Sequence, residues 1–193
     1  MKFKSLKVVL ITSIIAIAPT SFAEMPKKEL TPLEKKGLNL EADINYLFQT
    51  ALKTAAFRLD KDGQVEPFAV IHRKSDNKIG VFGVDSEQKS LSVNDQNATI
   101  RNMLTKLAVN NQIKGSISTM FGQVRDKEAG TVSQGLVFEI EHEEGISLIR
   151  FIPVYEKENP VDKNKPRLVI ELKAQTTNPK PAVVFAKSIV DAK

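Results

Sequence analysis

The spacing of the apolar residues changes partway along the chain, and this change restricts the fold more than any other feature of the sequence. Between residues 40 and 59 apolar side chains recur every three or four positions, as one face of an α-helix requires. From Val65 onwards apolar and polar residues mostly alternate, which is typical of strands. The sequence therefore predicts a long helix that packs against a sheet built from the later segments.

Local residues indicate where that helix begins and ends. Thr31 can cap the helix, Pro32 suits its first position, and Glu34 stands where a capping box needs a carboxylate. Gly37 is a possible interruption, because glycine weakens a helix interior. The helix is expected to end at Gly63, which supplies the positive φ that the following turn requires.

The later segments predict a second helix and a series of strands. Apolar positions Ile100, Leu104 and Leu107 indicate a helix over residues 97–111. Strands are expected at residues 65–74, 78–85, 113–125, 131–142, 146–155, 167–172 and 182–187. Short polar breaks between consecutive strands favour antiparallel pairing. We therefore expect an α+β fold, an antiparallel sheet of about six or seven strands with two main helices in the order α-β-β-α-β-β-β-β-β.

The first residues of the chain have the pattern of a secretory signal. Three lysines precede any acidic residue, and an apolar stretch of 11 residues, interrupted only by Thr12 and Ser13, follows at positions 8–18. A helix that crosses a bilayer needs about 20 apolar residues, so this run is too short for a permanent anchor. Residues 1–23 are therefore predicted to be a cleavable signal peptide of bacterial style, which places the protein in the periplasm or outside the cell.

The residues at the end of the signal indicate the cleavage site. Ser21 and Ala23 are the small residues that a signal peptidase requires, so cleavage is expected between Ala23 and Glu24. Residues 24–30 are polar and are predicted to form a flexible leader. Residues 31–193 fit one α+β domain. After cleavage, no stable insertion into the membrane is expected.

Charge and cysteine content exclude several classes of function. The signal carries three of the 28 basic residues, so the mature chain has 25 basic and 23 acidic residues and a net charge of +2. The remaining lysines are interspersed with acidic residues, and a nucleic-acid partner is not expected. Because the chain has no cysteine, thiol chemistry and lipid attachment through cysteine are impossible.

The two histidines are the only candidates for acid–base chemistry at neutral pH. His72 and His142 lie in predicted strands, and Glu144 follows His142 closely. Alternation places His142 at the end of an apolar row and Glu139 and Glu141 on the opposite face, where we expect them to point to water. No metal-binding spacing is present, so no metal or other cofactor is predicted, and these residues are weak catalytic candidates.

Gly80 and Gly83 mark the one place where the sequence hints at a concave site. Both lie in the predicted strand at residues 78–85, where they remove side chains from the strand surface. Such glycines permit either a β-bulge or the close approach of another group. The bulge explains them without a ligand.

Two functions from different classes are consistent with the sequence. The first is a non-catalytic binding or accessory protein of the bacterial envelope, which binds another envelope protein or a peptide through its sheet. The second is a small hydrolase or metal-assisted enzyme that uses His142, Glu144 and His72. The distance between the two histidines, and a cavity beside them, would distinguish the two functions.

The export prediction can be tested directly. When the full chain is expressed in a bacterium, we expect the recovered protein to begin at Glu24 and to fractionate outside the cytoplasm. Replacing Ala23 with phenylalanine should block cleavage, because the peptidase requires a small residue there. N-terminal sequencing and intact mass measure both outcomes, and recovered protein that begins at Met1 in the cytosol would contradict the prediction.

Overall fold

The computed structural model of the chain describes residues 31–125, 131–158 and 167–186. The predicted signal peptide, its cleavage site and the leader at residues 24–30 lie outside the described residues. No helix within the described ranges is long and apolar enough to cross a membrane.

Helix α1 (Pro32–Asp62) forms where its capping residues predict it. The Thr31 hydroxyl accepts the N–H of Glu34 at 3.2 Å, and the Thr31 N–H donates to the Glu34 carboxylate at 2.7 Å. Gly37 lies within the helix and does not interrupt it. Gly63 closes the helix in the left-handed conformation, with φ 69°, and its N–H donates to the carbonyl of Leu59. The predicted capping box is therefore confirmed at both of its hydrogen bonds.

The remaining elements follow the predicted order. They are β1 (Phe68–Arg73), β2 (Ile79–Gly83), α2 (Val93–Val109), β3 (Ile113–Arg125), β4 (Val132–His142), β5 (Ile146–Lys157), β6 (Arg167–Ile170) and β7 (Thr176–Pro179). Short 3-10 turns occupy Ser86–Ser90 and Leu172–Ala174. Helix α2 begins earlier than predicted because the Ser92 hydroxyl caps it and accepts the N–H of Asp95 at 3.2 Å.

All strands belong to one antiparallel sheet. Its order is β2-β1-β3-β4-β5, and β6 and β7 both pair with β5 at different parts of that strand. The predicted α+β fold class and element order are confirmed. The prediction for the last strand was wrong in position: β7 is Thr176–Pro179, while residues 182–186 form no strand. The neighbours Val184 and Phe185 are both buried, which a strand with one buried face does not allow.

The sheet is covered on both faces. Helix α1 covers the first face, where Leu47, Phe48, Phe68, Ile117 and Phe138 belong to the larger hydrophobic core. Helix α2 and residues 180–186 cover the second face, where the smaller core lies. Its buried members are Ala69, Ile71, Ile100, Leu104, Ile113, Val184 and Phe185. Because both faces are covered, the sheet presents its margins, rather than a bare face, to solvent.

Candidate functional site

The structure brings the two histidines together on the α1 face of the sheet. Strand register aligns His72 of β1 with Gly115 of β3, and Gly115 with His142 of β4. Both histidines are buried, with 3% and 4% of their surface exposed. A Cβ atom at Gly115 would lie 2.9 Å from the ring of His142, so only glycine at this position lets the His142 ring lie as it does.

Asp43 of α1 faces both imidazoles. Its Oδ1 lies 3.6 Å from His72 Nδ1, and its Oδ2 lies 4.0 Å from His142 Nε2. The ammonium of Lys114 contacts the same Oδ2 at 2.7 Å. These four side chains form what we call the histidine cluster. Asp43 was not predicted from the sequence, although its place on the buried stripe of α1, one residue before Ile44, was a usable indication.

Hydrogen bonds define the proton positions of the neutral rings. His142 Nδ1 accepts the N–H of Glu144 at 3.2 Å, so the neutral ring carries its proton on Nε2. His72 Nε2 contacts the carbonyl of Asn77 at 3.3 Å, which requires the proton on that nitrogen. The other nitrogen of each ring, His142 Nε2 and His72 Nδ1, is buried without a hydrogen-bond partner among the described residues.

Burial lowers the pKa of His142 below its ordinary value of 6.5, because a charged imidazole would lose its hydration there. The negative charge of Asp43, and then those of Glu143 and Glu144, oppose this by raising the pKa, while Lys114 lowers it further. The net direction is downward, so the cluster holds His142 as a neutral imidazole at neutral pH.

Glu144 does not join the histidine cluster. Its carboxylate pairs with Lys36 at 2.7 Å, and its side chain is 38% exposed. The hydrogen bond from Lys36 holds the pKa of Glu144 below its usual range. The three predicted acid–base candidates therefore do not assemble into one set, although both histidines lie near each other.

The larger described clefts lie away from the histidine cluster. Four clefts on the described surface have volumes between 370 and 720 Å³, and none of them has either histidine in its lining. Within the described ranges, no group of three or more His, Asp and Glu side chains is placed to bind one metal ion.

The expectation that Glu139 and Glu141 point to water was wrong. Glu139 lies under α2, where it accepts hydrogen bonds from Arg101 at 2.9 Å and from Ser118 at 3.2 Å. Glu141 is 2% exposed and lies under residues 180–186. Alternation along the strand placed both residues on the correct face of β4, but that face is covered rather than solvated.

Glu141 holds the end of the described chain against the sheet. Its carboxylate accepts the backbone N–H groups of Val183 (3.0 Å), Val184 (2.8 Å) and Phe185 (3.2 Å), and it pairs with the ammonium of Lys180. A buried carboxylate is stable only when its charge is compensated in this way. Glu141 is therefore the group that attaches residues 180–186 to the second face.

Strand β2 forms one margin of the sheet, and part of its backbone is unpaired there. Within the described residues, β2 pairs only with β1. The N–H of Arg73 donates to the carbonyl of Lys78, so this residue pair is of the hydrogen-bonded type. Because the two types alternate along an antiparallel pair, the N–H and C=O groups of Ile79, Val81 and Gly83 point away from β1.

A polar cleft of about 720 Å³ lies beside the Gly83 end of β2. Arg58 of α1 extends into it, with its guanidinium carbon 4.5 Å from the centre of the Phe68 ring. A Cβ atom at Gly83 would lie 3.8 and 3.9 Å from the two terminal nitrogens of Arg58. Gly80 and Gly83 indicated this place in the sequence. Arg58, which reaches the strand from the C-terminal end of α1, was not predicted.

Comparison with models of protein families, with curated proteins and with solved structures finds no significant match to this chain. A function for this chain must therefore be inferred from the geometry of the described residues.

The lowered pKa of His142 predicts a loss of stability in mild acid. Between its folded-state pKa and 6.5, the unfolded chain binds more protons than the folded one, so the free energy of unfolding falls as pH drops below about 6.5. Urea denaturation from pH 7.5 to pH 5 should show this fall, and His142→Gln should reduce its slope. The titration of Glu144 changes the free energy of unfolding only below its ordinary pKa of 4.5, so it does not overlap the range from pH 7.5 to pH 5. An NMR titration that gives a His142 pKa above 6.5 would refute the prediction.

Glu141→Gln should destabilise the fold and release residues 183–185. The substitution removes the charge that compensates four donors, and we expect a loss of about 2–4 kcal/mol in the free energy of unfolding. The amides of Val183, Val184 and Phe185 should exchange with solvent faster. Glu144→Gln is the matched control, since its exposed ion pair contributes less than about 1 kcal/mol. Equal effects of the two substitutions would show that Glu141 does not hold this segment.

Proposed function

We propose that this chain is a non-catalytic binding or accessory protein of the bacterial envelope, and that it binds an extended segment of another protein along β2. The observation that carries the proposal is that, among the described residues, no strand pairs with the outward backbone groups of Ile79, Val81 and Gly83. An extended segment that pairs with such an edge adds one strand to the sheet.

The composition of β2 supports this use of the edge. Proteins usually protect exposed edges with charged residues, proline or bulges, because an open edge pairs with other chains. The five residues of β2 include no charged residue and no proline, and their register with β1 is continuous. The Val81 side chain is 45% exposed beside this edge. An added strand could therefore pair along the whole length of β2 and cover Val81.

The margin formed by β6 and β7 is less suited to an added strand. It is divided between β6 and β7, which have four residues each. Strand β7 also ends in Pro179, which has no N–H to donate. The two faces of the sheet are covered by α1, and by α2 with residues 180–186, so a partner cannot lie flat on the sheet. Edge addition at β2 is the mode of binding that this geometry favours.

Backbone pairing alone would give weak binding. Each hydrogen bond contributes about 1 kcal/mol net, and association costs at least about 4 kcal/mol in lost freedom of motion. A five-residue edge therefore needs side-chain contacts as well, both for affinity and for choice of partner.

The envelope location is proposed from the signal pattern at residues 1–23. The alternative, a small hydrolase or metal-assisted enzyme that uses His142, Glu144 and His72, gains no support from the described geometry. The two imidazoles face Asp43, and Glu144 pairs with Lys36.

The edge can be tested without knowledge of the natural partner. A library of displayed twelve-residue peptides is selected against the exported protein, and the selected peptides are then measured against Val81→Pro and Val81→Ala. Proline removes the outward N–H at Val81 but leaves the residues that pair with β1, so we expect binding to weaken by about tenfold or more. Alanine keeps the N–H and loses only the covered methyl groups, so it should weaken binding less than proline does.

Thermal denaturation must show that both variants remain folded, and NMR shifts of the β2 amides locate the bound peptide. Selected peptides that bind Val81→Pro as well as the native protein, or a selection that yields no specific peptide, would remove the basis of the proposed function.

A further inference from the structure

The guanidinium of Arg58 lies over the last residue of the open edge with most of its donors unused. Its one hydrogen bond within the described residues is a long contact of 3.4 Å to the carbonyl of Glu66. Its carbon lies over the ring of Phe68, which aligns with Gly83 across the β1–β2 pair. Since a guanidinium carries five N–H donors, Arg58 can still accept a bidentate ligand.

An added strand would place one of its side chains next to this guanidinium. Residues directly opposite each other in paired strands share a face, with Cβ atoms about 4.5–5.5 Å apart. Gly83 shares the α1 face with Phe68, and its missing side chain leaves Arg58 open towards the strand edge. The partner residue opposite Gly83 would therefore lie within reach of the Arg58 nitrogens.

The charge close to this position is positive, although the cleft as a whole is balanced. Lys61 and Arg58 are matched in its lining by Asp62 and Glu66. At Gly83, however, the three nearest heavy atoms to a Cβ position are the two Arg58 nitrogens and the uncharged carbonyl oxygen of Pro67. The guanidinium of Arg58 is therefore the nearest charged group to a Cβ position at Gly83.

We propose that Arg58 selects a partner strand with a carboxylate at the position opposite Gly83. This proposal rests on the proposed function, because it names the chemistry of the strand that β2 receives. The carboxylate is either an Asp or Glu side chain or the C-terminus of a chain. In each case the residues opposite Val81 and Ile79 fall on the same face, where apolar side chains would cover Val81.

Four synthetic peptides test the proposal and distinguish the two sources of the carboxylate. The first is Thr-Glu-Thr-Val-Thr-Val-Thr with both ends blocked, which suits an antiparallel strand with Glu opposite Gly83, and the second replaces Glu with Gln. The third is Thr-Val-Thr-Val-Thr-Thr with a free C-terminus, which suits a parallel strand, and the fourth is its amide. Dissociation constants are measured by NMR titration of the exported protein and of its Val81→Pro, Arg58→Gln and Arg58→Lys variants.

In the native protein, either the Glu peptide or the peptide with a free C-terminus should bind about tenfold more tightly than its uncharged match. The peptide that does so identifies the source of the carboxylate. Arg58→Gln should reduce that ratio to about one, and Arg58→Lys should retain part of it, since lysine keeps the charge but not the bidentate geometry. Val81→Pro should weaken all four peptides. Thermal denaturation checks that loss of the contact with Phe68 has not unfolded the variants.

Each result decides between the two proposals. If charged and uncharged peptides bind equally and Val81→Pro still weakens them, Arg58 does not select a carboxylate, although the edge binds strands. If the charged peptide still binds Arg58→Gln more tightly than its uncharged match does, Arg58 again does not select the carboxylate. If none of the four peptides shifts the β2 amides, both proposals are overturned for this edge.

Discussion

The buried carboxylate of Glu141 determines which surface this domain presents. By accepting three backbone N–H groups from Val183, Val184 and Phe185, it holds an irregular segment against the second face of the sheet. Those buried N–H groups would otherwise lack partners, which is costly inside a protein. With α2 beside this segment and α1 on the first face, the described sheet has no bare face, and its margins are what remain for the proposed partner.

The histidine cluster follows the same physical rule on the first face. Asp43 lies between two imidazoles and the ammonium of Lys114, and the lysine compensates the carboxylate charge where α1 meets the sheet. Such a group specifies how the helix sits on the strands, because a shift of α1 would separate the carboxylate from its partners. This structural role is sufficient to explain why His72 and His142 lie buried on either side of Gly115.

Local sequence determined what could be predicted. The capping box at Thr31 and Glu34 and the strand at residues 113–125 depend on neighbouring residues, and both formed as expected. Glu141 and Asp43 depend on segments distant in sequence, so alternation gave the face of Glu141 but not what covers it. A usable indication existed in α2, whose apolar stripe also needs a sheet face. The last strand was misplaced because buried Val184 and Phe185 resemble a strand, although a carboxylate fixes them in an irregular segment.

If an added strand binds β2 as proposed, the shortness of β2 makes a single charged contact important for the choice of that strand. A one-residue slip of an added strand would turn every side chain to the other face, and an edge of five residues resists such a slip poorly through backbone bonds alone. Val81 favours an apolar neighbour but does not fix the register strongly, because many apolar residues would satisfy it. The guanidinium beside Gly83 lies at one end of the edge and on one face. A carboxylate that meets it would fix both register and face, so Arg58 can supply the specificity that the strand itself lacks.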